Sequence, residues 1–66
     1  MKISELAKRA GVTKDTIRHY VAIGLLNHGV NPDNGYQIFD KGSLARLRFI
    51  KEARQLGFRL EEVAYE

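Results

Sequence analysis

Lys14, Arg18 and His19 bring an ammonium, a guanidinium and an imidazole together in one short stretch bounded by Thr13 and Tyr20. At about 100° per residue, Lys14, Asp15, Arg18, His19 and Ala22 share one side of a helix, while Thr16, Ile17, Tyr20 and Val21 share the other. The outer side is polar, basic and short. A guanidinium forks onto paired acceptors such as the edge of guanine, and an ammonium neutralises phosphate. Arg18 lies four residues from Lys14, and Asp15, three residues away, is the only acid at helical spacing that rivals an outside partner for it. A charged outer face is also the ordinary condition of a surface helix, so the elements holding these residues decide what the face means.

Other chemistry is poorly provided for. Ser4 and Ser43 lack a matching histidine and acid, there is no glycine-rich phosphate loop, and a chain of 66 residues has little room for a water-excluding pocket, so an enzyme is not expected. Without cysteine there is no disulfide framework and no thiolate metal site. His19 and His28 have no partner at ligand spacing, so no metal or other cofactor is expected. No apolar run approaches the roughly 18 residues of a membrane helix and there is no signal peptide, so the expected setting is soluble and cytoplasmic, with no membrane partner.

The positioning elements follow from local signals. Ser4 is a cap-type residue ahead of Glu5-Leu6-Ala7-Lys8-Arg9-Ala10, and Gly11 is a natural left-handed stop. Val12 connects, and Thr13 is a suitable N-cap for a second helix, with Asp15 in its first turn at the positive end of the dipole. Gly24 closes that helix. Two helices joined by so few residues read as a helix-turn-helix. Beyond Leu25-Leu26 the chain becomes polar, and Asn34-Gly35 before Tyr36-Gln37-Ile38-Phe39 reads as a hairpin with residues 29–35 as its loop, since Pro32 cannot donate to a ladder. Asp40 caps a third helix over Lys41–Leu56, whose Leu44, Leu47, Ile50, Ala53 and Leu56 recur every three residues and predict a core stripe packing across the first two helices. Gly57 stops it. A fourth helix starts near Leu60 and runs out at Glu66.

Ile3-Ser4-Glu5-Leu6-Ala7, Gly11-Val12-Thr13, Asp15-Thr16-Ile17-Arg18-His19-Tyr20, Gly24-Leu25-Leu26, Gly35-Tyr36, Arg46-Leu47-Arg48-Phe49-Ile50 and Leu56-Gly57-Phe58 before Leu60-Glu61-Glu62 occur in an order and spacing that resembles the N-terminal DNA-binding domain of the MerR family of bacterial transcription regulators. The resemblance covers nearly the whole chain. It implies a mainly α winged helix-turn-helix of about four helices with a small two-stranded β wing, in a single domain: helix-turn-helix about 4–23, wing about 25–39, helix 3 about 41–56, helix 4 from about 60. The implied function is sequence-specific binding of double-stranded DNA at a palindromic promoter, by a homodimer that changes how RNA polymerase meets its promoter elements. The pairing segment that the resemblance implies is a long helix after this domain, so either it follows Glu66 or the protein pairs otherwise. An excisionase-like or recombinase-associated accessory module is the alternative, since such proteins use similar winged modules.

Carried over by position, the resemblance assigns Thr13, Lys14, Arg18, His19 and Tyr20 to the groove and its phosphates, and Tyr36 and Gln37 to the neighbouring backbone. Each has a plainer competing role: Thr13 as a cap only, Tyr20 as core with just its hydroxyl reaching phosphate, Tyr36 as a fastener of the wing to helix 3. The chain departs from the family pattern at three places. His19 replaces a tyrosine, Gln37 replaces an arginine in the wing, and Arg59 stands where Ser or Thr usually caps the fourth helix. Family members that sense metals or redox state carry their cysteines mainly beyond this domain, so the lack of cysteine here says nothing about an effector.

Charge supports a polyanionic partner. Eleven Lys plus Arg against eight Asp plus Glu give +3. Residues 41–59 hold Lys41, Arg46, Arg48, Lys51, Arg54 and Arg59 against Glu52 alone, a net +5, and residues 60–66 hold three glutamates. For Arg46, Lys51 and Arg54 a solvated helix face that attracts phosphate at long range is the expected role, rather than base contact. A domain this small buries only about 60% of its unfolded surface, so modest stability is expected.

Overall fold

A computed structural model describes residues 1–63. Helix α1 (Ile3–Ala10) begins ahead of Ser4, so that residue is not its cap; Lys2 holds the N-cap position without a side-chain bond. Burial sets this boundary. Ile3 packs against the core, and the Leu6 N–H closes the first turn on the Lys2 carbonyl at 3.0 Å. Just upstream, the Met1 amino group donates to the Phe39 carbonyl and the Phe39 N–H donates back to the Met1 carbonyl at 2.7 Å, which ties the start of the chain to the far arm of the wing.

Gly11 ends α1 at φ +71°, with its own N–H and that of Val12 both donated to the Ala7 carbonyl. Lys51 Nζ donates to the Gly11 carbonyl at 3.1 Å, and a Cβ at this position would stand 2.7 Å from that nitrogen. Gly11→Ala is expected to lower stability by about 1–2 kcal/mol through the left-handed backbone, and to swing Lys51 off the turn. A fall in the urea midpoint at constant slope is the measurement.

Helix α2 (Lys14–Ala22) starts at Thr13, whose hydroxyl accepts the Thr16 N–H at 3.1 Å. Its inward anchor is Ile17, which is fully buried. Strands β1 (Gly29–Val30) and β2 (Gln37–Ile38) pair antiparallel with Gly29 opposite Ile38 and Val30 opposite Gln37. Gly29 and Val30 therefore form an arm of the wing and not part of its loop. Pro32 lies past the last paired residue, where no donor is required. The loop also differs from the hairpin that Asn-Gly predicts, because only Gly35 has positive φ, at +73°, and Asn34 does not. Asparagine side chains stitch it instead: Asn31 Oδ1 accepts the Asp33 N–H and Asn34 Oδ1 the Tyr36 N–H, each at 2.9 Å. The Asn31 N–H donates to the Tyr36 carbonyl, closing the loop at its base.

Helix α3 (Lys41–Gln55) is capped by Asp40, which accepts the Ser43 N–H at 2.9 Å. That bond holds the Asp40 carboxyl below the usual carboxylate range. Leu44, Leu47, Ile50 and Ala53 are buried, but Leu56 is 79% exposed and falls outside the stripe. Steps of three residues lag a 3.6-residue turn by about 60° each, so by Leu56 the stripe has rotated about 240° from Leu44. The hub of the core is α1, which packs against both α2 and α3. Around it Leu6, Ile17, Leu26, Phe39, Leu44 and Leu47 form one buried cluster.

Helix α4 (Leu60–Val63) has no Ser or Thr cap, and its start is satisfied another way. Glu62 Oε1 accepts the Arg59 N–H at 3.2 Å while the Glu62 and Val63 N–H groups donate to the Arg59 carbonyl. This is the reciprocal half of a capping box. The run of this helix on to Glu66 lies outside the described residues.

Candidate nucleic-acid interface

Because Ile17 fixes the rotation of α2, Lys14 and Arg18 face outward, and the wing comes alongside them. Lys14, Arg18, Tyr36 and Gln37 line one open cleft of about 340 Å³, together with Lys2 and the start of α1. Tyr36 is 66% exposed, so it is not spent on fastening the wing to α3. The wing is tied to the start of the chain by the Met1–Phe39 backbone bonds, and to α3 by Ser43 Oγ and Arg46 Nε, which donate to the Asn27 and Leu25 carbonyls. Lys2 is a residue that sequence reading did not select. It reaches this cleft only because residue 1 pairs with residue 39, a long-range contact with no local signature.

Arg18 is not free on this face. Its Nη1 lies 3.2 Å from Asp15 Oδ1, with both side chains well exposed. An ion pair so open to water contributes little to stability. Thr13 is likewise engaged, as the cap of α2, with its hydroxyl 2.9 Å from that of Thr16, and it remains solvent-exposed. His19 is exposed and lies beside Tyr20, their ring centroids 5.9 Å apart.

Tyr20 belongs to a different place. It packs half-buried on the core and lines a second cleft of about 270 Å³ with Val12, Leu47, Lys51, Arg54 and Gln55. The structure thus divides the sequence-selected residues between two sides of α2: Lys14, Arg18, Tyr36 and Gln37 toward the wing, Tyr20 toward α3. Every polar side chain lining the α3-side cleft carries a hydrogen-bond donor and none is acidic. Lys51 and Arg54 are exposed on α3, as expected of a solvated basic face, and Lys51 also donates to the Gly11 carbonyl. Arg46 is half-buried and donates from Nε to the Leu25 carbonyl at 2.9 Å, which makes it a fold contact behind the wing.

Among the described residues no three His, Asp or Glu side chains come together in a metal-holding group, and no helix is long and apolar enough to cross a membrane.

Residues 1–65 match the family model described as MerR HTH family regulatory protein. The chain belongs to the MerR family. It is 47% identical over 62 residues to the HTH-type transcriptional regulator ZntR of Escherichia coli K12, a match covering 94% of this chain and 44% of that protein. It is 40% identical over 62 residues to the mercuric resistance operon regulatory protein of Bacillus cereus, covering 94% of this chain and 47% of that one. Among solved structures, the transcription regulator PbrR691 of Ralstonia metallidurans CH34, in complex with lead(II), superposes with a TM-score of 0.84 at 33% identity, over 96% of this chain and 49% of that one. A MerR-family transcriptional regulator from Listeria monocytogenes superposes with a TM-score of 0.86 at 31% identity, over 97% of this chain and 48% of that one. This MerR-family chain therefore spans just under half the length of the relatives it matches. Its mainly α winged helix-turn-helix is the fold of these regulators, which are DNA-binding proteins and not enzymes. The accessory-factor alternative is not favoured by these relatives.

Proposed function

We propose that this MerR-family domain reads double-stranded DNA by sequence, as the operator-binding part of a cytoplasmic regulator that acts as a homodimer on a palindromic promoter and alters how RNA polymerase meets it. The observation that carries this reading is the meeting of Lys14 and Arg18 on α2 with Tyr36 and Gln37 of the wing at one open cleft. With α2 set into a major groove, Arg18 presents its fork to a base edge and Lys14 to phosphate. Tyr36, Gln37 and Lys2 lie toward the backbone flanking one side. On the other side the Tyr20 hydroxyl, Lys51 and Arg54 offer donors to the opposite strand, with Thr13 and His19 between. Gln37 donates without charge, so the wing's grip is hydrogen bonding with less electrostatic pull than an arginine gives.

Titration of duplex DNA at several salt concentrations tests the reading. Affinity is expected to fall steeply with salt, since a few phosphate contacts supply most of it. Arg54→Gln is expected to weaken selected and unselected duplexes alike and to reduce the salt slope by about 0.9, the share of one phosphate contact. Binding that ignores salt would sink the proposal. Selection of bound sequences from random duplexes tests the dimer: full-length protein is expected to recover two spaced, inverted half-sites.

A further inference from the structure

Asp15 stands in the middle of the cationic face of α2, where an acid is out of place for binding a polyanion. It is the second residue of α2, its side chain is 94% exposed, and its Oδ1 lies 3.2 Å from Arg18 Nη1. Its support of the fold is modest, a carboxylate in the first turn at the positive end of the α2 dipole. The first turn of α2 is already capped by Thr13 through the Thr16 N–H, and an ion pair this exposed adds little to stability. Lys14 and Arg18 border the wing cleft with Lys2, and although Asp15 does not line that cleft, its contact with Arg18 sets the carboxylate beside a guanidinium that does.

Resting on the reading of this face as DNA-binding, we infer that Asp15 is a specificity-determining positioning residue, which holds the Arg18 guanidinium for a base edge and penalises generic contact with phosphate. The two effects come from one carboxylate. An arginine free to swing takes any phosphate oxygen within reach, whereas one held through Nη1 keeps a defined plane, and bidentate pairing with guanine O6 and N7 demands such a plane. Restraint before binding also lowers the entropy lost on contact. Meanwhile the carboxylate repels every phosphate alike, so it subtracts from binding to all sequences and is offset only where Arg18 finds its base. Discrimination of this kind is built by a repulsive element beside an attractive one.

The test compares wild type, Asp15→Asn and Asp15→Glu on two probes at fixed salt: a duplex enriched from a random pool by the wild-type protein, and a scrambled duplex of the same composition. Asp15→Asn is expected to tighten binding to the scrambled duplex and to shrink the preference for the enriched one by roughly tenfold. Asp15→Glu still reaches Arg18 across one turn and is expected to keep most of that preference. Glu52→Gln, which makes the same change in net charge at an exposed position of α3, is expected to leave the preference unaltered. Thermal midpoints are followed for all variants, since a purely structural role for Asp15 lowers the midpoint and weakens both probes equally. That outcome, or an unchanged preference in Asp15→Asn, overturns the inference while leaving the DNA-binding reading intact. A wild-type protein that enriches no sequence from the pool overturns both.

Discussion

Phe39→Ala is expected to leave much of the chain unfolded at room temperature. Phe39 is 1% exposed and among the largest fully buried side chains, and its backbone exchanges hydrogen bonds with Met1 in both directions. Truncating a buried phenylalanine costs about 3–5 kcal/mol in lost transfer energy and residual cavity. At roughly 0.05–0.15 kcal/mol per residue, a 66-residue domain holds only about 3–10 kcal/mol in total. The substitution therefore removes a large share of the stability, or all of it. Its effect reaches the candidate interface without touching it, because the Met1 tie positions both Lys2 and the wing. Circular dichroism through a urea titration is the measurement, with Phe49→Ala as the reference. Phe49 is 60% exposed, and its truncation is expected to stay within about 0.5 kcal/mol of wild type. Equal midpoints for the two variants would refute the role given to Phe39.

Local rules reached the parts of this fold that local physics decides. Thr13 and Asp40 cap their helices as their positions predict, each by a side-chain oxygen accepting an N–H three residues on. The division of α2 into a buried Ile17 side and an exposed Lys14, Arg18 and His19 side follows from helical periodicity. Periodicity misled at Leu56 for the converse reason, since a strict spacing of three is not the period of an α-helix. Ser4 misled because a cap-type residue competes with burial, and the packing of Ile3 decided where α1 begins.

The candidate site was harder to read than the fold, because it is assembled from distant segments. Lys14 and Arg18 are visible on one helix, and Asn34-Gly35 advertises a wing. That the wing tip lands beside those two residues depends on the pairing of Met1 with Phe39. The same non-locality hid Lys2, and it hid the fact that Tyr20 shares its cleft with Lys51 and Arg54 instead of Arg18. Asp15 was legible as a rival for Arg18. The distance of 3.2 Å shows the rivalry to be an actual pair.

That pair makes Arg18 the residue whose loss is expected to matter most for binding. Arg18→Ala is expected to weaken duplex binding by roughly 1–3 kcal/mol. Two consequences add: the fork disappears, and Asp15 is left facing phosphates with its partner gone. Arg18→Lys divides the alternatives for the side chain. A phosphate contact needs only charge, so lysine would retain most of the affinity and the salt slope while any sequence preference stays as it was. A base contact needs the planar fork, so lysine would keep the slope and lose the preference. The second outcome is expected, because a guanidinium already held by Asp15 is shaped for planar recognition. Titrations of Arg18→Ala indistinguishable from wild type at the same salt would remove Arg18 from the interface altogether, and would move the reading of this face toward the donor-rich cleft on the α3 side.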